Sequence, residues 1–240
     1  MMNNTVGNQT CKYCKAEGSG IYCSNCGNLY ATKRITIKSI LHDVFHFVTH
    51  LDKGFGYTLK QLFTAPGVTQ RDYVEGYRAK HQKPFSMFFL CASITALIRY
   101  RINIALVDYF NSGNATEGNF FHEYMVLMHS LLLPLYALIT WLIFYRSKYN
   151  YAEIVVFFLY TLSAFFLIMD MVALLRLIWP PLNTDYIELS LFLIYNAITT
   201  VNFFNSSNKW VVIIKSIINM VIVYFIANYA QDFLVSVLKH

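Results

Sequence analysis

The 240-residue chain is 56% hydrophobic and 17% aromatic but only 13% charged, with a formal net charge of +6. Soluble domains carry roughly 25% charged residues, so the composition excludes an ordinary soluble globular protein and points to an integral membrane class. Most of the Lys and Arg precede Phe85, beside the first long apolar run. An anionic membrane surface accounts for that placement better than nucleic acid, which is disfavoured as a partner.

The first ten residues are polar and lack the apolar core of a secretory leader, so the first hydrophobic helix is expected to serve as the insertion signal. Next come Cys11-Lys12-Tyr13-Cys14, an eight-residue spacer, and Cys23-Ser24-Asn25-Cys26-Gly27. Two CxxC pairs supply four thiolates for a tetrahedral structural zinc, Cys11, Cys14, Cys23 and Cys26; a redox dithiol or plain thiols are the alternatives. Gly27, with Gly18 and Gly20 in the spacer, suits the tight turns of such knuckles. So short a module has almost no core, and metal binding would supply most of its folding free energy. Four protein ligands also close the coordination sphere, which argues against catalysis at this metal. The odd total of five cysteines and their close pairing disfavour disulfides and favour a reducing, cytosolic location.

Residues 35–51 predict an amphipathic helix, with Ile37, Ile40, Leu41, Val44, Phe45, Val48 and Leu51 on one face. His42, His46 and His50 step by four along the opposite face beside Asp43. These four residues are either a second metal site, because His residues four apart can chelate one ion, or a solvated or headgroup-facing polar surface. Gly54 and Gly56 are expected to end the helix, and Thr58 to cap a short one through Phe63. After a Pro66-Gly67 turn, Thr69 is expected to cap a further helix in which Arg71 and Glu75 form an i,i+4 pair. Arg78 and Lys80 follow, and Tyr73, Val74 and Tyr77 give that segment the look of a surface in the membrane interface.

From Lys83-Pro84 onward the chain predicts five spans, roughly 85–107, 124–145, 152–178, 186–204 and 210–230, each near the ~20 residues needed to cross a bilayer. The second loop holds Arg146 and Lys148, the fourth holds Lys209, and the first holds no Lys or Arg. The positive-inside rule then puts the N-terminal module in the cytosol and the C-terminus outside, in a bacterial inner membrane. Tyr145, Tyr151, Trp179 and Trp210 near span ends suit an aromatic belt.

Arg99, Arg101 and Asp170 are ionisable residues inside or near the spans. At 1.5 Å per residue, Arg99 lies about 21 Å beyond Phe85 and Asp170 about 28 Å beyond Tyr151, so both fall at comparable depth. A pair of Asp170 with either arginine fits, as does snorkelling of the arginines to the headgroups. The two arginines point nearly opposite ways on a helix, so both cannot face one partner. Cys91 reads as a small packing residue. Asn196, Thr199, Thr200 and Asn202 make the fourth span the most polar, suited to an interhelical contact or a cavity. The fold class expected is therefore an all-α integral membrane protein with three parts: a zinc ribbon (1–34), amphipathic juxtamembrane helices (35–84) and a transmembrane domain (85–240).

The CxxC pairs, Arg34-Ile35-Thr36, His50-Leu51-Asp52-Lys53-Gly54-Phe55, Tyr57-Thr58-Leu59, Pro66-Gly67, Tyr73-Val74-Glu75-Gly76 and Lys83-Pro84-Phe85 together carry a resemblance. Over its first third, the chain resembles a bacterial family of small membrane proteins, domain of unknown function three-six-six-seven, common in the Bacteroidetes group. The resemblance implies an architecture of zinc ribbon, juxtamembrane signature and helical membrane domain. It implies no activity. Three functions are compatible with the residues. The first is a non-enzymatic scaffold docking a cytosolic partner or anionic headgroups through the ribbon and basic helices. The second is a small oligomeric transporter, channel or lipid-handling protein using Arg99, Arg101 and Asp170. The third is a membrane-embedded metal enzyme using the His42, His46 and His50 face, for which the chain has no nucleophile elbow, no glutamate-bearing metal helix and no phosphate loop.

Overall fold

A computed structural model of the chain describes residues 9–31, 34–45, 54–110, 116–182, 184–205 and 208–238. Two short antiparallel strands, β1 (Gln9–Thr10) and β2 (Glu17–Gly18), pair Gln9 with Gly18 and Thr10 with Glu17. An isolated bridge joins Tyr22 to Leu29. The nine helices described are α1 (Ile37–Phe45), α2 (Phe55–Thr64), α3 (Val68–Glu75), α4 (Pro84–Phe110), α5 (Thr116–Ile143), α6 (Tyr151–Ala173), α7 (Leu175–Ile178), α8 (Asp185–Phe204) and α9 (Lys209–Leu238).

Five of these segments are long and apolar enough to cross a membrane: Pro84–Leu106, Val126–Ile143, Tyr151–Ile178, Tyr186–Phe204 and Lys209–Ala230. They coincide closely with the predicted spans. The third is the hub: 83% of it is buried inside the protein, against 17–44% of the others. It has the composition for that place, because Phe157, Phe158, Tyr160, Phe165 and Phe166 give it apolar side chains all round. The helices around it keep one face for α6 and turn Leu131, Ile194, Ile214 and Phe225 outward, as lipid-facing helices do. α6 starts from a complete capping box, in which the Asn150 side chain accepts from the Glu153 amide at 2.9 Å and the Glu153 carboxylate accepts from the Asn150 amide at 2.8 Å.

The juxtamembrane segment differs from its expectation. α2 and α3 are built into the bundle, with Leu62, Tyr73 and Val74 in the main apolar core beside Tyr160 and Phe203. Thr58 does not cap α2, which begins at Phe55 after Gly54; it is fully buried inside the helix and accepts from the Gln82 amide at 2.8 Å. Thr69 likewise sits inside α3 and returns its hydroxyl to the carbonyls of Gln61 and Ala65, closing the end of α2. Arg71 and Glu75 bond elsewhere: Arg71 donates to the Asn202 carbonyl at 2.8 Å, and Glu75 accepts from Lys148 and Tyr149. Tertiary partners at the helix ends have replaced the local ones that spacing alone offers.

Gly67 shows how close this packing is. Its φ of +81° is left-handed, and a Cβ there would fall 2.1 Å from the Thr199 carbonyl oxygen and 2.9 Å from the Phe203 amide nitrogen. Only glycine lets the α2–α3 turn touch the backbone of α8. The Asn202 side chain completes the seam by donating to the Pro66 carbonyl at 2.9 Å.

Candidate metal centre

The four cysteines of the ribbon come from two turns with the same backbone pattern. In the first, the Cys11 amide donates to the Ala16 carbonyl at 2.9 Å and the Lys15 amide to the Cys11 carbonyl at 3.0 Å. In the second, the Cys23 amide donates to the Asn28 carbonyl at 2.8 Å and the Gly27 amide to the Cys23 carbonyl at 2.9 Å. The fourth residue after the leading cysteine is left-handed in both, at φ +61° for Lys15 and +73° for Gly27. Each turn thereby holds its two thiols together over a floor of backbone amides.

The four ligand atoms lie within 4.8 Å of one another, with Cys11–Cys26 and Cys14–Cys23 sulfur separations of 3.5 Å. A tetrahedral ion with metal–sulfur bonds of 2.3 Å has sulfur–sulfur edges of about 3.8 Å. The group can therefore hold a metal ion with little adjustment. Its electrostatics are prepared for anionic sulfur. The Cys14 amide lowers the pKa of Cys11 against burial. At Cys23 burial pushes the thiol up, but the Cys26 and Asn25 amides outweigh it and hold it down to about 6. Cys26 is pushed up to about 11: the Asn28 amide and burial oppose one another there, and the hydrogen bonds with the other three thiols decide the balance. Four thiols this close cannot all ionise without a cation among them, so the group is one that could hold a metal ion.

The ribbon is fastened to the rest of the protein. The Tyr77 hydroxyl donates to the Lys12 carbonyl at 3.3 Å, the Tyr13 and Tyr77 rings lie 5.4 Å apart, and the Lys80 ammonium sits 5.5 Å from the Tyr13 ring centre. The Ala79 amide donates to Asn28 Oδ1 at 2.9 Å. Further along, Arg34 grips both carboxylate oxygens of Glu153 at 3.0 and 2.9 Å and also bonds the Lys148 carbonyl, while Asn150 donates to the Ile35 carbonyl at 3.1 Å. The Glu153 carboxylate is buried, and the Asn150 amide and the Arg34 guanidinium both donate to it.

Of the other residues singled out by sequence, Cys91 is buried in the apolar core of α4, far in sequence and setting from the ribbon thiols. His42 and Asp43 lie on α1 but their side chains, and all of His46 and His50, lie outside the described residues. Arg99 and Asp170 do meet, with Nε 3.7 Å from Oδ1, at 4% and 3% side-chain exposure. Arg101 is exposed on the other side of α4, as its angular position requires. Two groups at this junction escaped the sequence reading. Glu188, one turn into α8, places Oε2 3.8 Å from Arg99 Nη2, and the Thr184 hydroxyl donates to its other oxygen at 2.9 Å. Thr95, one turn before Arg99 on the same face, donates to Asp170 Oδ2 at 2.7 Å. The junction thus ties α4, α6 and α8 together near the end of the bundle opposite the ribbon. A signal for Glu188 was present, an acid within an apolar span at matching depth; for Glu153, the Asn150-x-x-Glu153 capping pattern was.

Comparison with the curated proteins and with the solved structures gives no significant match. Residues 52–96, whose described part runs through α2, α3 and the first half of α4, match the family described as Protein of unknown function (DUF3667).

Proposed function

We propose that the protein is a non-enzymatic scaffold of a bacterial inner membrane, with one structural zinc in its ribbon. The ribbon lies on the cytosolic side and docks a protein partner there. The observation that carries this reading is the pairing of a closed four-sulfur site with a ribbon fastened to the bundle: a partner seated on the ribbon is fixed in position relative to the membrane. Four sulfurs leave a zinc ion no open position for substrate or water, so its role is to build a surface. Exposed apolar side chains are available on that surface, with Ile21 and Tyr22 67% and 64% exposed. Exposed Lys38, Lys60, Lys83, Arg146 and Lys209 gather toward the same end and favour a cytosolic, anionic leaflet there.

A photo-cross-linking residue at Tyr22 in cells tests the reading. The expected result is a discrete cross-linked species that disappears in the Cys11→Ser, Cys14→Ser double variant while the protein stays in the membrane. Cross-links that persist in the double variant would remove the ribbon from the docking role. The buried junction of Arg99, Asp170 and Glu188 favours transport as a second reading, since ionisable groups inside spans often line paths. Wild-type flux above that of empty vesicles that Asp170→Asn alters would support it, and wild-type flux identical to that of empty vesicles, or unchanged by Asp170→Asn, would count against it.

A further inference from the structure

We infer that Asn28 is a positioning residue that couples the metal site to the membrane domain, so that filling the four-cysteine site orders the strap of residues 77–83 leading into α4. The inference rests on the metal reading above and extends it from the ribbon to the bundle.

The two turns of the ribbon supply an internal comparison. Ala16 and Asn28 occupy equivalent positions, and each backbone carbonyl closes its own turn. The turn therefore needs no side chain at this place. Asn28 nevertheless carries one that is 5% exposed and bonded in two directions. Its Nδ2 donates to Cys26 Sγ at 3.7 Å, and its Oδ1 accepts the Ala79 amide at 2.9 Å. One planar amide thus joins a metal-ligand sulfur to the backbone of the strap.

The strap is in turn set into the bundle. The Gln82 amide donates to the hydroxyl of fully buried Thr58 on α2 at 2.8 Å, and the Gln82 carbonyl accepts from the hydroxyl of fully buried Tyr160 on α6. His81 packs between the rings of Tyr57 and Tyr73, 5.2 and 6.3 Å away. Three residues after His81, Pro84 begins α4. A connected series of bonds therefore runs from Cys26 through Asn28 and Ala79 to Gln82, and from there to two helices of the bundle.

Coupling needs an element with two states, and the ribbon is one. Its buried apolar cluster consists of Cys11, Cys23 and Tyr30, too little to hold a fold on its own. Without metal the second turn opens, Asn28 leaves, and the Ala79 amide loses its acceptor. By reciprocity, a strap held in place favours the turn that binds metal.

The test is hydrogen exchange on the full chain in lipid nanodiscs, zinc-loaded and chelator-stripped, with zinc per chain measured in parallel. Stripping should speed exchange in the 77–83 peptide at least tenfold while peptides from α6 stay protected. Asn28→Ala should show that fast exchange with zinc still bound, and stripping should add nothing. Asn28→Asp keeps the acceptor for Ala79 but loses the donor to Cys26; it should bind zinc about tenfold more weakly and keep the strap protected when loaded. An unchanged 77–83 peptide after loss of a full equivalent of zinc would overturn the coupling. A wild-type chain that binds no zinc would instead remove the metal reading beneath it.

Discussion

Lys15 and Gly27 hold equivalent left-handed positions in the two metal turns, at φ +61° and +73°. A side chain in that conformation costs about 1–2 kcal/mol, and if the ribbon folds on a metal, as proposed, the cost is expressed as affinity. Gly27→Val should weaken zinc binding roughly 5- to 30-fold, and Lys15→Gly should tighten it several-fold, both read by competition with a chromophoric chelator. The cysteine spacing makes the ligand set visible in the sequence, and Gly27 marks its turn. The strain at Lys15 and the second role of Asn28 are not visible there, because each depends on a backbone angle or a distant partner that residue type does not encode.

At the scale of elements, the α2–α3 hairpin and the junction of α4, α6 and α8 are two places where helix positions are locked. Gly67→Ala forces a Cβ into the α8 backbone at a positive φ, and should lower stability by on the order of 3 kcal/mol, seen as a drop of several degrees in the thermal midpoint of the detergent-solubilised protein. At the other end, Arg99→Ala removes the guanidinium from buried Asp170 and half-buried Glu188. It should cost about 3–5 kcal/mol in denaturant titrations in mixed micelles. Arg101→Ala, two residues away but exposed, should stay within about 0.5 kcal/mol of wild type. Helical periodicity and hydropathy bring the five spans and the depth of Arg99 and Asp170 within reach of the sequence. They cannot show that Thr58 and Thr69 serve tertiary contacts, since a buried hydroxyl accepting from Gln82 and an N-cap look alike in one dimension. Nor do they reveal that α3 packs on α6 and α8: Tyr73 and Val74 beside basic residues give the same pattern on a membrane surface as in a core.

For the whole molecule, α6 is the axis around which the other spans gather, and the ribbon sits at the end where α6 begins and α8 finishes. If all five candidate spans cross as proposed, with the ribbon in the cytosol, their odd number puts the two termini on opposite sides. A reporter fused after His240 should therefore be active only outside the cytosol, and one fused before Met1 only inside it; matching signals at both ends would mean that one of the five segments does not cross.

If a metal ion builds the ribbon on one end of a preformed bundle, as proposed, the metal can be counted on the protein. Zinc per purified chain is measured beside the Cys11→Ser, Cys14→Ser variant. One zinc is expected in the wild type and none in the variant, with an unchanged bundle melting transition. No zinc in the wild type, or a zinc that survives the double substitution, would contradict it, the second result moving the metal to His42, His46 and His50.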